Sequence, residues 1–109
     1  MKNIILCSSN PILVKSLYGI LRDEGHSVET IEHPAFAVQM IIQNRFDLII
    51  IDSEPFGLSA EDAAEIIRNV APWMQILFVG SSARMGKTQT LEKPVDLEEF
   101  KRAIQSIAV

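Results

Sequence analysis

The sequence is poor in cysteine, in basic clusters and in long apolar runs, and each lack removes a class of function. Cys7 is the one cysteine in 109 residues, so no internal disulfide can form and a reducing compartment is expected. Lys and Arg number 10 against 14 Asp and Glu, a formal charge of −4, and the basic residues form no run. Nucleic-acid binding needs such a footprint to neutralise phosphates, so none is expected of this domain. The longest apolar runs, such as Leu48–Ile51 and Ile76–Val79, fall far short of the roughly 20 residues that span a bilayer. Met1-Lys2-Asn3-Ile4 enters a strand-like run directly, without a signal-peptide pattern. A cytoplasmic protein with no membrane partner is the expectation. Repeats, low-complexity tracts and linkers are also missing, so residues 1–109 are read as one domain.

What remains is an ordinary globular composition, 48% hydrophobic and 22% charged, in which short apolar runs alternate with helical patterns. Ile4–Cys7 reads as a buried strand, followed by Asn10 and Pro11 as N-cap and first helical residue. Leu13, Leu17, Ile20 and Leu21 repeat at helical spacing until Gly25. Val28–Ile31 is a weaker strand, and Pro34 opens a helix with Phe36, Met40 and Ile41 expected inward. Leu48–Ile51 is a continuous β-branched run ending in Asp52, the pattern of a strand covered on both faces. Ser59 to Asp62 resembles a capping box before a helix carrying Ile66, Ile67 and Val70, which Pro72 stops. Ile76–Val79 is a fourth strand and Thr88–Leu91 a fifth; Asp96 caps a last helix with Leu97, Phe100, Ile104 and Ile107 on its apolar face. Alternation of this kind predicts an α/β fold with a doubly wound, five-stranded parallel sheet. Only eight residues, Gly80 to Lys87, join the last two strands. A parallel crossover usually takes about a dozen or more, so the helix there is expected to be lost or reduced to a loop.

Ligands of such sheets bind beyond the carboxyl ends of the strands. That edge holds Ser8, Ser9 and Asn10; Asp52; Gly80 and Ser81; and Glu92 and Lys93. An aspartate ending the third strand in Phe46-Asp47-Leu48-Ile49-Ile50-Ile51-Asp52, and Glu92-Lys93-Pro94-Val95-Asp96-Leu97-Glu98-Glu99 after the fifth, resemble the response-regulator receiver family across the whole chain. The resemblance implies a flavodoxin-like fold. It also implies that Asp52 stands at the position that accepts a phosphoryl group from a histidine kinase, with Lys93 beside it and a cis bond to Pro94. Mg²⁺ in that family is held by two acidic residues after the first strand, by the acceptor and by a backbone carbonyl two residues on.

This sequence departs from the pattern. Ser8 and Ser9 replace the acidic pair, Gly80 stands where a Thr or Ser ends the fourth strand, and Thr90 holds the place of the aromatic switch residue. Ser81 is a substitute hydroxyl by a shift of one, and Glu54 is a further carboxylate near the degenerate site. Mg²⁺ wants near-octahedral oxygen ligands with one or two carboxylates, and neutral hydroxyls offer no charge to offset it. Phosphoryl transfer rests on positioning and on stabilising the equatorial oxygens, a task left mainly to Lys93. No metal or other cofactor is therefore expected.

Other motifs have bland readings. Cys7 at a strand end invites comparison with phosphate loops that use a cysteine nucleophile, but Leu13 stands where a phosphatase needs arginine and Pro11 removes an amide donor. Gly80 to Thr88 nearly spells a P-loop with one residue too many between its glycines, and the segment after it, Gln89 to Pro94, cannot begin the required helix. His26 and His33 are expected at the surface, and Trp73 as a partly buried anchor.

The sequence thus points to a non-enzymatic pseudo-receiver acting through protein contact or as a homodimer, with a histidine kinase or a fused effector domain as further partners. Loss of a helix should expose Ile76, Phe78 and Leu91 for such a contact. One alternative keeps Asp52 as a weak phosphoacceptor helped by Lys93 and Ser81; another makes the pocket of Ser8, Asp52 and Lys93 a small-anion sensor.

Overall fold

Stiff β-branched runs fill the strands and capped amphipathic segments fill the helices of the computed structural model, which describes residues 2–52, 58–80, 89–91 and 95–107. The elements are β1 (Asn3–Cys7), α1 (Pro11–Asp23), β2 (Ser27–Ile31), α2 (Pro34–Gln43), β3 (Leu48–Asp52), α3 (Leu58–Val70), β4 (Gln75–Val79), β5 (Gln89–Leu91) and α4 (Leu97–Ile107). The strands form one sheet in the order β2-β1-β3-β4-β5, every pair parallel. This is the doubly wound order of the flavodoxin-like architecture, as the alternation of the sequence predicts.

Local chemistry sets the ends of the helices. The Asn10 carboxamide oxygen accepts from the amides of Ile12 and Leu13 at 3.1 and 3.2 Å, with Pro11 as first helical residue. Gly25, at φ 87°, supplies the left-handed residue after α1, which a side chain would resist. Asp96 caps α4 by accepting from Glu98 and Glu99 at 2.9 and 3.2 Å.

β3 is buried along its whole length, and its alternate residues feed two cores. Leu48 and Ile50 join Ile4, Leu6, Leu77, Val79 and Leu91 beneath α1 and α4, with Leu17, Leu21, Phe100 and Ile104 covering them. Ile49 and Ile51 join Ile5, Cys7 and Phe78 beneath α2 and α3, covered by Ala37, Ile41, Ala64 and Ile67.

Several expectations are corrected. Phe36 is exposed; Ile41 is buried and Met40 packs against the core as expected, and α2 also turns Pro34 and Ala37 inward. Ile66, Val70 and Leu97 are also exposed at the margins of their helices. His26 is buried: its Nδ1 accepts from the Lys2 amide at 3.1 Å, and burial, aided by nearby positive charge, holds its pKa below the usual value. Phe78 and Leu91 are 0% and 6% exposed, so the sheet surface proposed for a partner is covered. Leu91 belongs to the face beneath α4, while Ile76 packs against the core beneath α3. The expected loss of a helix between β4 and β5 falls on residues 81–88, outside the described residues. Among the described residues no helix is long and apolar enough to cross a membrane.

Candidate functional site

Parallel register brings the two polar strand ends together. Cys7 pairs with Ile51, so the next residues, Ser8 and Asp52, emerge side by side where the sheet changes its direction of winding, the usual ligand crevice. Both are buried, at 3% and 2% exposure. The Ser8 hydroxyl donates to Asp52 Oδ2 at 2.9 Å and its oxygen accepts from the Asn10 amide at 3.1 Å. The Ser8 amide in turn donates to the Ile31 carbonyl at 3.0 Å. One serine thus links β1, β2, β3 and the start of α1. A buried carboxylate needs such partners, because desolvation penalises an ionised group that lacks them.

Cys7 lies directly beneath, fully buried in the core. Burial, and secondarily the charge of Asp52, push its thiol up to about 12. Only the thiolate is a nucleophile, so the thiol is inert and the phosphate-loop comparison fails on chemistry as well as on sequence. Iodoacetamide at pH 8 is expected to leave Cys7 unmodified in the folded protein and to label it fully in urea, with mass spectrometry as the readout. Rapid native labelling would contradict the burial.

Ser9 is exposed and takes no part in the Ser8–Asp52 bond. Gly80 is buried with φ 121°, and its amide donates to the Leu91 carbonyl at 2.8 Å. Its backbone suits glycine and would strain a threonine, so this position is built as a strand exit. Thr90 pairs with Phe78 in the β4–β5 ladder. Glu54, Ser81, Lys93 and Pro94 lie outside the described residues, as does nearly all of the P-loop-like stretch.

Among the described residues, the donors of the crevice do not fit the Mg²⁺ that the receiver resemblance implies. Asp52 already receives the Ser8 hydroxyl, and Glu32 is a further carboxylate on the depression that Ser8 and Ser9 line. No group of three or more His, Cys, Asp or Glu able to hold a metal occurs among the described residues. Neutral hydroxyls leave the ion's charge uncompensated.

Trp73 sits at the opposite end of the sheet. Its indole donates to the Phe46 carbonyl at 3.2 Å, and the Arg45 guanidinium lies 4.9 Å from the ring centre. Its neighbours around a small cavity include Lys2, Leu48 and Gln75, the starts of strands. The ring anchors that end and reports nothing of the crevice.

Sequence reasoning placed Asp52 and Ser8 at neighbouring strand ends and rejected Cys7 as a nucleophile, but missed the Ser8–Asp52 hydrogen bond. The signal was present in the strand ends, because side-by-side parallel strands place the residues beyond them together.

A scan against protein-family models gives no match, and a search of curated proteins gives none either. Solved structures are similar over the whole chain. The response regulator TrrA of Thermotoga maritima, solved with Mg²⁺–BeF, superposes with TM-score 0.84 at 24% identity, covering 98% of this chain and 99% of its own. A chain of the complex between the histidine kinase ThkA and TrrA gives TM-score 0.83 at 22% identity and full coverage of both. The receiver domain of the Pseudomonas aeruginosa sensor histidine kinase PA1611, with magnesium in its active-site cleft, gives 0.82 at 23%, covering 99% and 98%. From β1 to α4, the chain has the fold of a response-regulator receiver domain.

Proposed function

We propose that the chain is a receiver-type module of a two-component regulator that works by protein contact, without enzymatic activity and without ordinary Mg²⁺-dependent phosphorylation. One observation carries the reading. Ser8, a neutral residue at 3% exposure, occupies the place of an acidic metal ligand and gives its hydroxyl to Asp52. The bond leaves the carboxylate paired inside the protein, and it supplies no charge with which to bind a divalent ion. The partner class rests on analogy with the ThkA–TrrA complex, in which a receiver is held by a histidine kinase. A cytoplasmic setting suits such a partner.

The test is a titration of the isotope-labelled domain with Mg²⁺ and beryllofluoride, a phosphoryl mimic, followed through the amides of Ser8, Asp52 and Gly80. Trp73 fluorescence is unsuitable, since the indole lies at the far end of the sheet. The expected result is no saturable shift at millimolar Mg²⁺. Shifts at these amides that require both ligands would restore Asp52 as a working phosphoacceptor.

A further inference from the structure

β2 forms one edge of the sheet, paired with β1 alone. All five of its residues are in register, Asn3 with Ser27 through Cys7 with Ile31, without a bulge. The Ser27 amide donates to the Lys2 carbonyl and the Ile31 carbonyl accepts from Ser8, both at 3.0 Å. In a parallel ladder alternate residues face the same neighbour, so Ser27, Glu29 and Ile31 bond toward β1. Val28 and Thr30 direct their amides and carbonyls away from the sheet. Edge strands are normally blunted by lysine, proline, a bulge or an overlying loop, and Ser27-Val28-Glu29-Thr30-Ile31 has none of the first three.

The ground beside this edge is a groove rather than a covering. A depression of about 1100 Å³ meets the edge at Thr30 and Ile31, is flanked by Lys15 and Tyr18 of α1 and by Glu32 and Phe36, and runs on to Ser8 and Ser9 at the crevice. Tyr18 and Phe36 are 37% and 56% exposed. The two helices lie on opposite faces of the sheet, so a strand added to β2 would meet one aromatic ring on each face near Thr30 and Ile31. Lone apolar residues at a surface are ordinary, but here they flank a row of open backbone donors and acceptors.

Charge selects the occupant. A second copy pairing antiparallel in the register that overlaps all of β2 would set Glu29 directly opposite Glu29, and like charges in that position are destabilising. Glu32 follows along the edge, while Lys15 lines the depression from α1 on the opposite face, so the position facing Glu29 favours a cation. We infer that β2 is a docking edge for an extended, basic segment of another protein, added as a sixth strand with a lysine or arginine opposite Glu29. This deepens the protein-contact reading by naming a surface and a partner chemistry. Its outcome is separate from that at Asp52, because the probes are different amides.

The experiment uses two synthetic peptides of alternating threonine and valine that differ only in a central lysine or glutamate. Hydrogen exchange and amide shifts are followed on the intact chain. Val28 and Thr30 are expected to exchange freely at first and to slow about tenfold when the lysine peptide stands at ten times its Kd. Shifts should extend to Tyr18 and Phe36. Glu29→Lys should reverse the preference between the peptides, and Thr30→Pro, which removes an outward amide, should abolish binding while β1 pairing persists. The inference is overturned by an absence of protection at Val28 and Thr30 with either peptide, or by protection indifferent to the central charge. It is overturned equally by concentration-dependent protection without peptide, which would make a second copy the occupant.

Discussion

Without divalent metal, Ser8→Asp is expected to lower the unfolding free energy by about 2–4 kcal/mol, and Mg²⁺ to return a large part of it. The loss has two sources. The hydroxyl that donates to Asp52 at 2.9 Å disappears, and a second carboxylate enters a position only 3% exposed beside one only 2% exposed. Like charges sharing a buried site raise one another's pKa and oppose folding while both are ionised. A cation bound between them would reverse the sign, stabilising by about 2.7 kcal/mol at a hundred times its Kd. Urea denaturation at neutral pH, with EDTA and then with Mg²⁺, measures both terms for the variant and the parent. The parent should respond little to the metal. If it gains as much as the variant, Ser8 is not what keeps Mg²⁺ out. A variant as stable as the parent in EDTA would mean that the Ser8–Asp52 bond contributes little.

How far the sequence could be read depended on whether one residue's neighbours or another element's position decided the outcome. Leu48–Ile51 declared itself a central strand because no other element needs an unbroken β-branched run. Asn10 and Asp96 declared helix starts because their capping bonds reach only two or three residues along the chain. α2 was harder. Its segment Pro34-Ala35-Phe36-Ala37-Val38-Gln39-Met40-Ile41-Ile42 holds more apolar residues than one face can bury, so periodicity could not show that Phe36 lies outside and Ala37 inside. His26 and Gly80 depend on partners far away in sequence, the Lys2 amide and the Leu91 carbonyl. Ser8 and Asp52 were recognisable as strand ends. That one donates to the other across 44 positions is a consequence of register, which the sequence does not display.

The covering of Val79 and Leu91 on one face of β4 and β5 rests on α4, and Phe100→Ala is expected to show it by a loss of about 3–5 kcal/mol. Phe100 is 0% exposed and shares its core with Val79, Leu91, Ala103 and Ile104. Truncation removes the transfer free energy of the ring and leaves a cavity that neighbours fixed in a sheet can close only in part. A domain of this size holds about 5–15 kcal/mol in all, so the variant should unfold at much lower urea while keeping a cooperative transition. Leu97→Ala on the same helix is the control: at 46% exposure, it should cost less than about 1 kcal/mol. The comparison bears on function as well as stability. The Leu91 carbonyl accepts the Gly80 amide at 2.8 Å, so the core that Phe100 and Leu91 share also adjoins the strand exit at the edge of the crevice. If Phe100→Ala shifts the Gly80 amide in spectra of the folded protein, α4 and the crevice are mechanically joined. A stability loss without that shift would make α4 a cover for the core alone, leaving Ser8 and its neighbours in β1 and β3 to set the crevice by themselves.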